Sequence, residues 1–185
     1  MLIARSAQEA LLYLDLQDCD CGVAGFEPEH RLEDRDGVLV SLYDGLCVNC
    51  GRSRSYEFVI SDEMPPAPPA FGREEPSRII DPGEFLWICD KVSETTGLRL
   101  LNTPLGEQRV HRAGYEYAIA ALKEIFKFLP IGVDSVPEEL FTSERGREIY
   151  RKDPSRFERQ ELVSNLTHKR RIVNDIDRFN PPREI

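Results

Sequence analysis

Four of the five cysteines fall into two close pairs, Cys19-Asp-Cys21-Gly and Cys47-Val-Asn-Cys50-Gly, with 25 residues between the pairs. Thiolates one or two residues apart can grip a single ion from a tight turn, and four such sulfurs make the tetrahedral site that Zn²⁺ takes in structural positions. The glycine after each pair, Gly22 and Gly51, can adopt the positive φ that turns the chain back and aims N–H groups at the sulfurs. Cys19, Cys21, Cys47 and Cys50 are therefore the expected ligands of a structural Zn²⁺. Two disulfides, a redox pair or iron ligation compete for the same spacing. Disulfides are disfavoured in a reducing compartment, and a thioredoxin-like redox site needs one pair at a strand–helix turn, whereas strand patterns flank both pairs here. Four protein sulfurs leave no coordination position for an activated water, so the metal is expected to hold the fold rather than do chemistry.

Other chemistry-bearing residues form no set. Cys89 falls on the apolar face of an expected helix and reads as a small core residue. His30, His111 and His168 lie near no nucleophile motif, no HExxH and no second-metal spacing, and Asp81-Pro82-Gly83-Glu84 is a helix start rather than a phosphate loop. No acid, base and nucleophile can be assembled, so a non-catalytic protein is expected.

The elements that must position the cysteines follow from the pattern around them. Ser6 and Glu9 stand in capping-box spacing before an apolar run, which predicts a short leading helix. Residues 26–33, 38–43 and 56–60 read as three antiparallel strands, with turn residues Asp34-Arg35-Asp36-Gly37 after the first, one cysteine pair before it and the other between the second and third. So small a sheet buries little apolar area, and zinc is expected to supply the missing stability, such that Cys47→Ser unfolds it. Residues 61–76 hold five prolines and read as a semi-rigid, solvated linker or arm. Beyond it the pattern is helical. Asp81-Pro82 caps one helix, residues 107–129 carry the longest helical stripe, and a last helix runs from Arg156 to about Phe179 with the basic run His168-Lys169-Arg170-Arg171 on a solvated face. The expected fold class is α+β: a leading helix and small three-stranded zinc ribbon in 1–62, a Pro-rich arm in 63–76, and a mainly α-helical bundle in 77–185.

The formal charge is −9, with 24 Lys and Arg against 33 Asp and Glu. Nearly all of the excess sits in residues 1–70, which hold five Arg and no Lys against 13 acids, whereas 71–185 hold 19 basic and 20 acidic residues. That field repels phosphate backbones, so nucleic acid is not the expected partner of the first third and a basic protein is. Asp15, Asp18 and Asp20 at the first knuckle, with Glu33, Asp34 and Asp36 at the following turn, are the candidate partner surface. No apolar run is long enough to span a membrane, and the N-terminal residues lack the order of a signal peptide, which places the expected location in the cytoplasm.

Taken together, DLQDCDCG, YDGLCVNCGRSRSYEFVISDE, the Pro-rich arm, PSRIIDPGEFL and an all-helical end resemble uncharacterised bacterial zinc-ribbon proteins associated with polymorphic toxin and immunity loci. The likeness implies a role by context: an immunity-type inhibitor or adaptor that masks a basic partner such as a toxin. A zinc-ribbon factor associated with nucleic acid or transcription is the alternative, and the charge count argues against it.

Overall fold

The computed structural model describes residues 1–24, 26–61, 63–64 and 66–180. The chain divides into two compact units, Met1–Ile80 and Asp81–Ile185.

The first unit is built on a mixed sheet of order β1-β4-β3-β2, formed by β1 (Leu2–Ala4), β2 (Glu29–Arg35), β3 (Val38–Leu46) and β4 (Ser53–Ile60). The three expected antiparallel strands are present, but the sheet has four strands. Leu2, Ile3 and Ala4 pair in parallel with Phe58, Val59 and Ile60 at the edge of β4, and the N–H of Ser61 extends that ladder to the Ala4 carbonyl at 3.2 Å. Three residues carry too little periodicity to announce a strand, and a parallel pairing brings no hairpin turn to mark it.

The helix α1 (Ala7–Leu16) opens as its cap residues predict, with Ser6 Oγ accepting the Glu9 N–H at 3.0 Å. Glu9 is fully buried, and its carboxylate takes the Arg5 N–H at 2.6 Å together with the Arg5 guanidinium. Alternation along the strands sends Tyr43 and Phe58 to one face, where they pack with Ala4, Ala10, Leu14 and Phe26. Tyr13 and Tyr56 close this core edge-on, with Tyr13 5.7 Å from the Phe58 ring and Tyr56 5.7 Å from that of Phe26. On the other face Arg35 reaches across β3 to Glu57 at 2.9 Å while holding Glu33 on its own strand, and Arg31 pairs with Asp44 at 2.7 Å. The described residues between 63 and 69 are exposed, and the stretch is tied to this unit at its later end: Phe71 is fully buried, its carbonyl accepts the Ser6 hydroxyl at 2.8 Å, and Glu75 O accepts from Arg5.

The second unit is helical: α2 (Pro82–Leu101), α3 (Arg112–Phe126), α4 (Glu144–Lys152) and α5 (Arg159–Phe179). The helix α2 begins at a reciprocal capping box between Asp81 and Glu84. The stripe expected over 107–129 is divided, with a 3-10 turn at Gln108–His111 ahead of α3, and Val110 lies exposed. Between α2, α3 and α5 the core is Tyr115, Ile119, Val173 and Ile176 with Leu100, Leu166 and Ile172. Gly114 lets α3 approach α2, since a Cβ there would collide with Thr96. Among the described residues no helix is long and apolar enough to cross a membrane.

Candidate metal centre

The two knuckles are tight turns whose backbone does the positioning. In the first, the Gly22 N–H donates to the Cys19 carbonyl at 2.7 Å and Cys19 N–H to Val23 O at 3.1 Å. In the second, Gly51 N–H donates to Cys47 O and Cys47 N–H to Arg52 O, both at 2.9 Å. Gly22 and Gly51 sit at φ +79° and +69°, in the left-handed region that glycine adopts without strain. The first knuckle follows α1 and the second joins β3 to β4, so the hairpin register carries the second back to the first.

The four sulfurs meet as their spacing predicts. The Sγ atoms of Cys19, Cys21, Cys47 and Cys50 all lie within 4.8 Å of one another, and this set can hold a metal ion. The pairs across the knuckles are close, Cys19 to Cys50 at 3.6 Å and Cys21 to Cys47 at 3.7 Å. All four are free thiols, so neither of the alternative disulfides is formed. Cys19 and Cys47 are buried and Cys21 and Cys50 exposed.

Hydrogen bonds prepare the sulfurs unequally. The N–H groups of Cys50 and Asn49 hold the Cys47 thiol down at about 6, and the Asn49 side chain, 3.6 Å from Cys21 Sγ, lowers that thiol too. At Cys50 the Arg52 N–H pulls downward, but the neighbouring Cys19, burial and the other sulfurs outweigh it and push the thiol up to about 11. Such a cluster shares protons among its sulfurs, and a bound cation would displace them.

Three residues around the centre carried no signal in the sequence. Asn49 donates to Cys21 across the knuckles, Arg52 forms an ion pair with Asp20, and Arg54 ties the end of α1 to β4. The Arg54 guanidinium donates to Gln17 O at 2.7 Å and to the Tyr56 hydroxyl at 2.8 Å while lying over the Phe26 ring at 4.7 Å. Each of the three stands within a few residues of a cysteine, but only the fold shows which side chain turns inward.

The six candidate partner acids separate into two places. Asp15, in the last turn of α1, and Asp18 and Asp20, which follow the helix, are exposed at the knuckle end. Glu33, Asp34 and Asp36 lie at the β2–β3 tip, at the far end of β3 from Cys47. Some are already engaged locally: Asp20 with Arg52, Glu33 with Arg35 at 2.9 Å, and Asp34 Oδ1 accepting the Gly37 N–H at 2.8 Å.

The remaining candidates are accounted for by packing. Burial pushes the Cys89 thiol up to about 11, leaving it protonated and inert. The 168–171 run is not one solvated face: Lys169 is 6 % exposed and donates to Ser93 Oγ at 2.8 Å, while His168, Arg170 and Arg171 are exposed. His30 stacks on Tyr43 at 4.7 Å and its Nε2 lies 2.7 Å from Ser41 Oγ; His111 Nε2 lies 2.7 Å from Thr103 Oγ1.

Comparison of the chain with protein-family models, with curated sequences and with solved structures returned no match.

Proposed function

We propose that this chain is a non-catalytic, zinc-clasped recognition protein, an inhibitor or adaptor of the immunity type that masks a basic protein partner such as a toxin. The observation that carries the reading is the closed set of four sulfurs. Among the described residues the donor group is these four cysteines alone, the composition of a structural zinc site rather than a catalytic one. Zinc–sulfur bonds of about 2.3 Å in a tetrahedron require sulfurs about 3.8 Å apart, and the spacings of 3.6 and 3.7 Å across the knuckles support that fit. When bound there, zinc supplies cross-linking of the two knuckles. Cys19, Cys21, Cys47 and Cys50 hold it, Asn49 orients one sulfur, and Arg52 and Arg54 brace the turn.

The partner class comes from charge. Residues 1–80 carry 15 acids against seven Arg, a single-signed field that speeds encounter with a basic surface and opposes one built of phosphates. The test is affinity capture of the tagged protein from extract of its own cells, with metal content measured on the same preparation. Recovery of a basic protein, released by salt and accompanied by one zinc per chain, is the expected result. Recovery of nucleic acid or transcription machinery overturns the partner class, and a metal-free preparation that refuses added zinc overturns the clasp.

A further inference from the structure

We infer that the four-cysteine cluster is a redox-releasable clasp: a hydroperoxide joins Cys21 to Cys47 and Cys50 to Cys19, and the metal leaves while the sheet stays folded. This rests on the metal-holding reading above.

Three observations carry it. Each knuckle presents one cysteine to solvent and keeps one inside: Cys21 and Cys50 are exposed, Cys19 is 6 % and Cys47 2 % exposed. An oxidant therefore has a surface sulfur to meet on each turn. Each surface sulfur then has a buried sulfur of the opposite knuckle beside it, at 3.7 Å for Cys21–Cys47 and 3.6 Å for Cys50–Cys19. A resolving thiol is thus already in place at both positions. The third observation is that the core of the sheet does not depend on the cluster: Ala4, Ala10, Leu14, Phe26, Tyr43 and Phe58 hold it without a cysteine.

The step balances with hydrogen peroxide as oxidant. With the cluster's sulfurs deprotonated, as they must be to hold a cation, the exposed thiolate attacks the O–O bond, an S–O bond forms, the sulfur gives up two electrons to become a sulfenic acid, and the departing hydroxide takes a proton to become water. The facing thiolate then attacks the sulfenyl sulfur, forming the S–S bond and expelling hydroxide, which a second proton converts to water. Each pair of thiolates consumes one peroxide and two protons, yielding one disulfide and two waters. A disulfide sulfur no longer carries the charge that held the cation.

The experiment uses the full chain, with zinc content measured before oxidation and released zinc followed with a chromogenic chelator as peroxide is added. Expected are release of the zinc at about two peroxides per chain, a chain about 4 Da lighter than the reduced metal-free form, and peptides joined as Cys19–Cys50 and Cys21–Cys47. Far-ultraviolet dichroism should hold, dithiothreitol with zinc should reload the site, and Cys89, fully buried, should react with alkylating reagent only after denaturation. Zinc that stays bound in excess peroxide overturns the inference while leaving the metal reading intact. Disulfides within a knuckle, a disulfide to Cys89 or release only with loss of the dichroism also overturn it. A chain that never binds zinc removes both readings.

Discussion

Glu84→Gln should make the second unit more stable at alkaline pH and flatten its dependence on pH. Glu84 sits in the first turn of α2, where its carboxylate accepts the Asp81 N–H at 3.2 Å and Asp81 in turn accepts the Glu84 N–H at 2.9 Å and the Ser143 N–H at 2.7 Å. Burial, reinforced by the adjacent Asp81 charge and only partly opposed by the Asp81 N–H, Arg145 and Ser143, pushes the Glu84 carboxyl from 4.5 up to about 7. The fold therefore prefers the neutral acid. Its contribution is fully present below about pH 4.5 and is lost as pH rises through about 7. At about 1.36 kcal/mol per pKa unit, linkage sets a ceiling of roughly 2.5 kcal/mol between pH 5 and pH 8, and water reaching the side chain trims this to about 1–2 kcal/mol. Glutamine keeps an oxygen for the Asp81 N–H and has no charge to lose. The assay is urea unfolding followed by fluorescence of Trp87, the chain's one tryptophan, which lies one turn along the same helix with Lys91 and Arg145 over its ring at 4.4 and 4.7 Å. Wild type and variant should converge toward pH 4.5 and separate by about 1–2 kcal/mol at pH 8. Parallel curves, or a variant less stable than wild type at pH 8, refute the reasoning.

Four further outcomes are expected. Cys47→Ser should abolish stoichiometric zinc binding but leave the strand signal in dichroism, lowering the midpoint of the first unit by the binding linkage, about 2.7 kcal/mol when free zinc stands a hundredfold above Kd; the aromatic core of β3 and β4 revises the expectation from the sequence that this variant unfolds. Phe58→Ala should cost about 3–5 kcal/mol in chemical denaturation, since the ring is fully buried and touches Tyr13 and Tyr43 edge-on. Gly146→Ala should cost about 1–3 kcal/mol by the Trp87 assay, because the new Cβ would collide with the Asp81 carboxylate. Lys169→Met should melt within about 1 kcal/mol of wild type or higher, exchanging a buried ammonium for a thioether of similar length.

The parts of the molecule legible from sequence are those fixed by local chemistry. Paired cysteines with trailing glycines announced the knuckles, Ser6 announced the start of α1, and Asp81 with Pro82 announced that of α2. What escaped depends on contacts distant along the chain. β1 exists only because β4 offers it an edge. Lys169 was assigned to solvent by its basic neighbours, yet it falls in step with Leu162, Leu166, Val173 and Ile176 along the inner stripe of α5, and its place there is set by Ser93 on α2. The acidic residues were read as one surface from composition, but a hairpin separates by its full length residues that stand close in sequence. Arg52 and Arg54 look alike as letters; one pairs at the surface with Asp20 and the other turns under the knuckle to Gln17.

The parallel pairing of β1 with β4 also constrains the order in which the first unit is made. As the chain emerges from a ribosome, the β2–β3 hairpin can close over a short loop soon after Leu46 appears, and the second cysteine pair follows at once, so metal capture needs nothing beyond Cys50. Leu2, Ile3 and Ala4, synthesised before the other strands of the sheet, must wait for Phe58, Val59 and Ile60 before they have a partner. The oldest residues of the unit thus wait through the making of the other three strands, and their backbone groups stay unpaired until the last of these is complete.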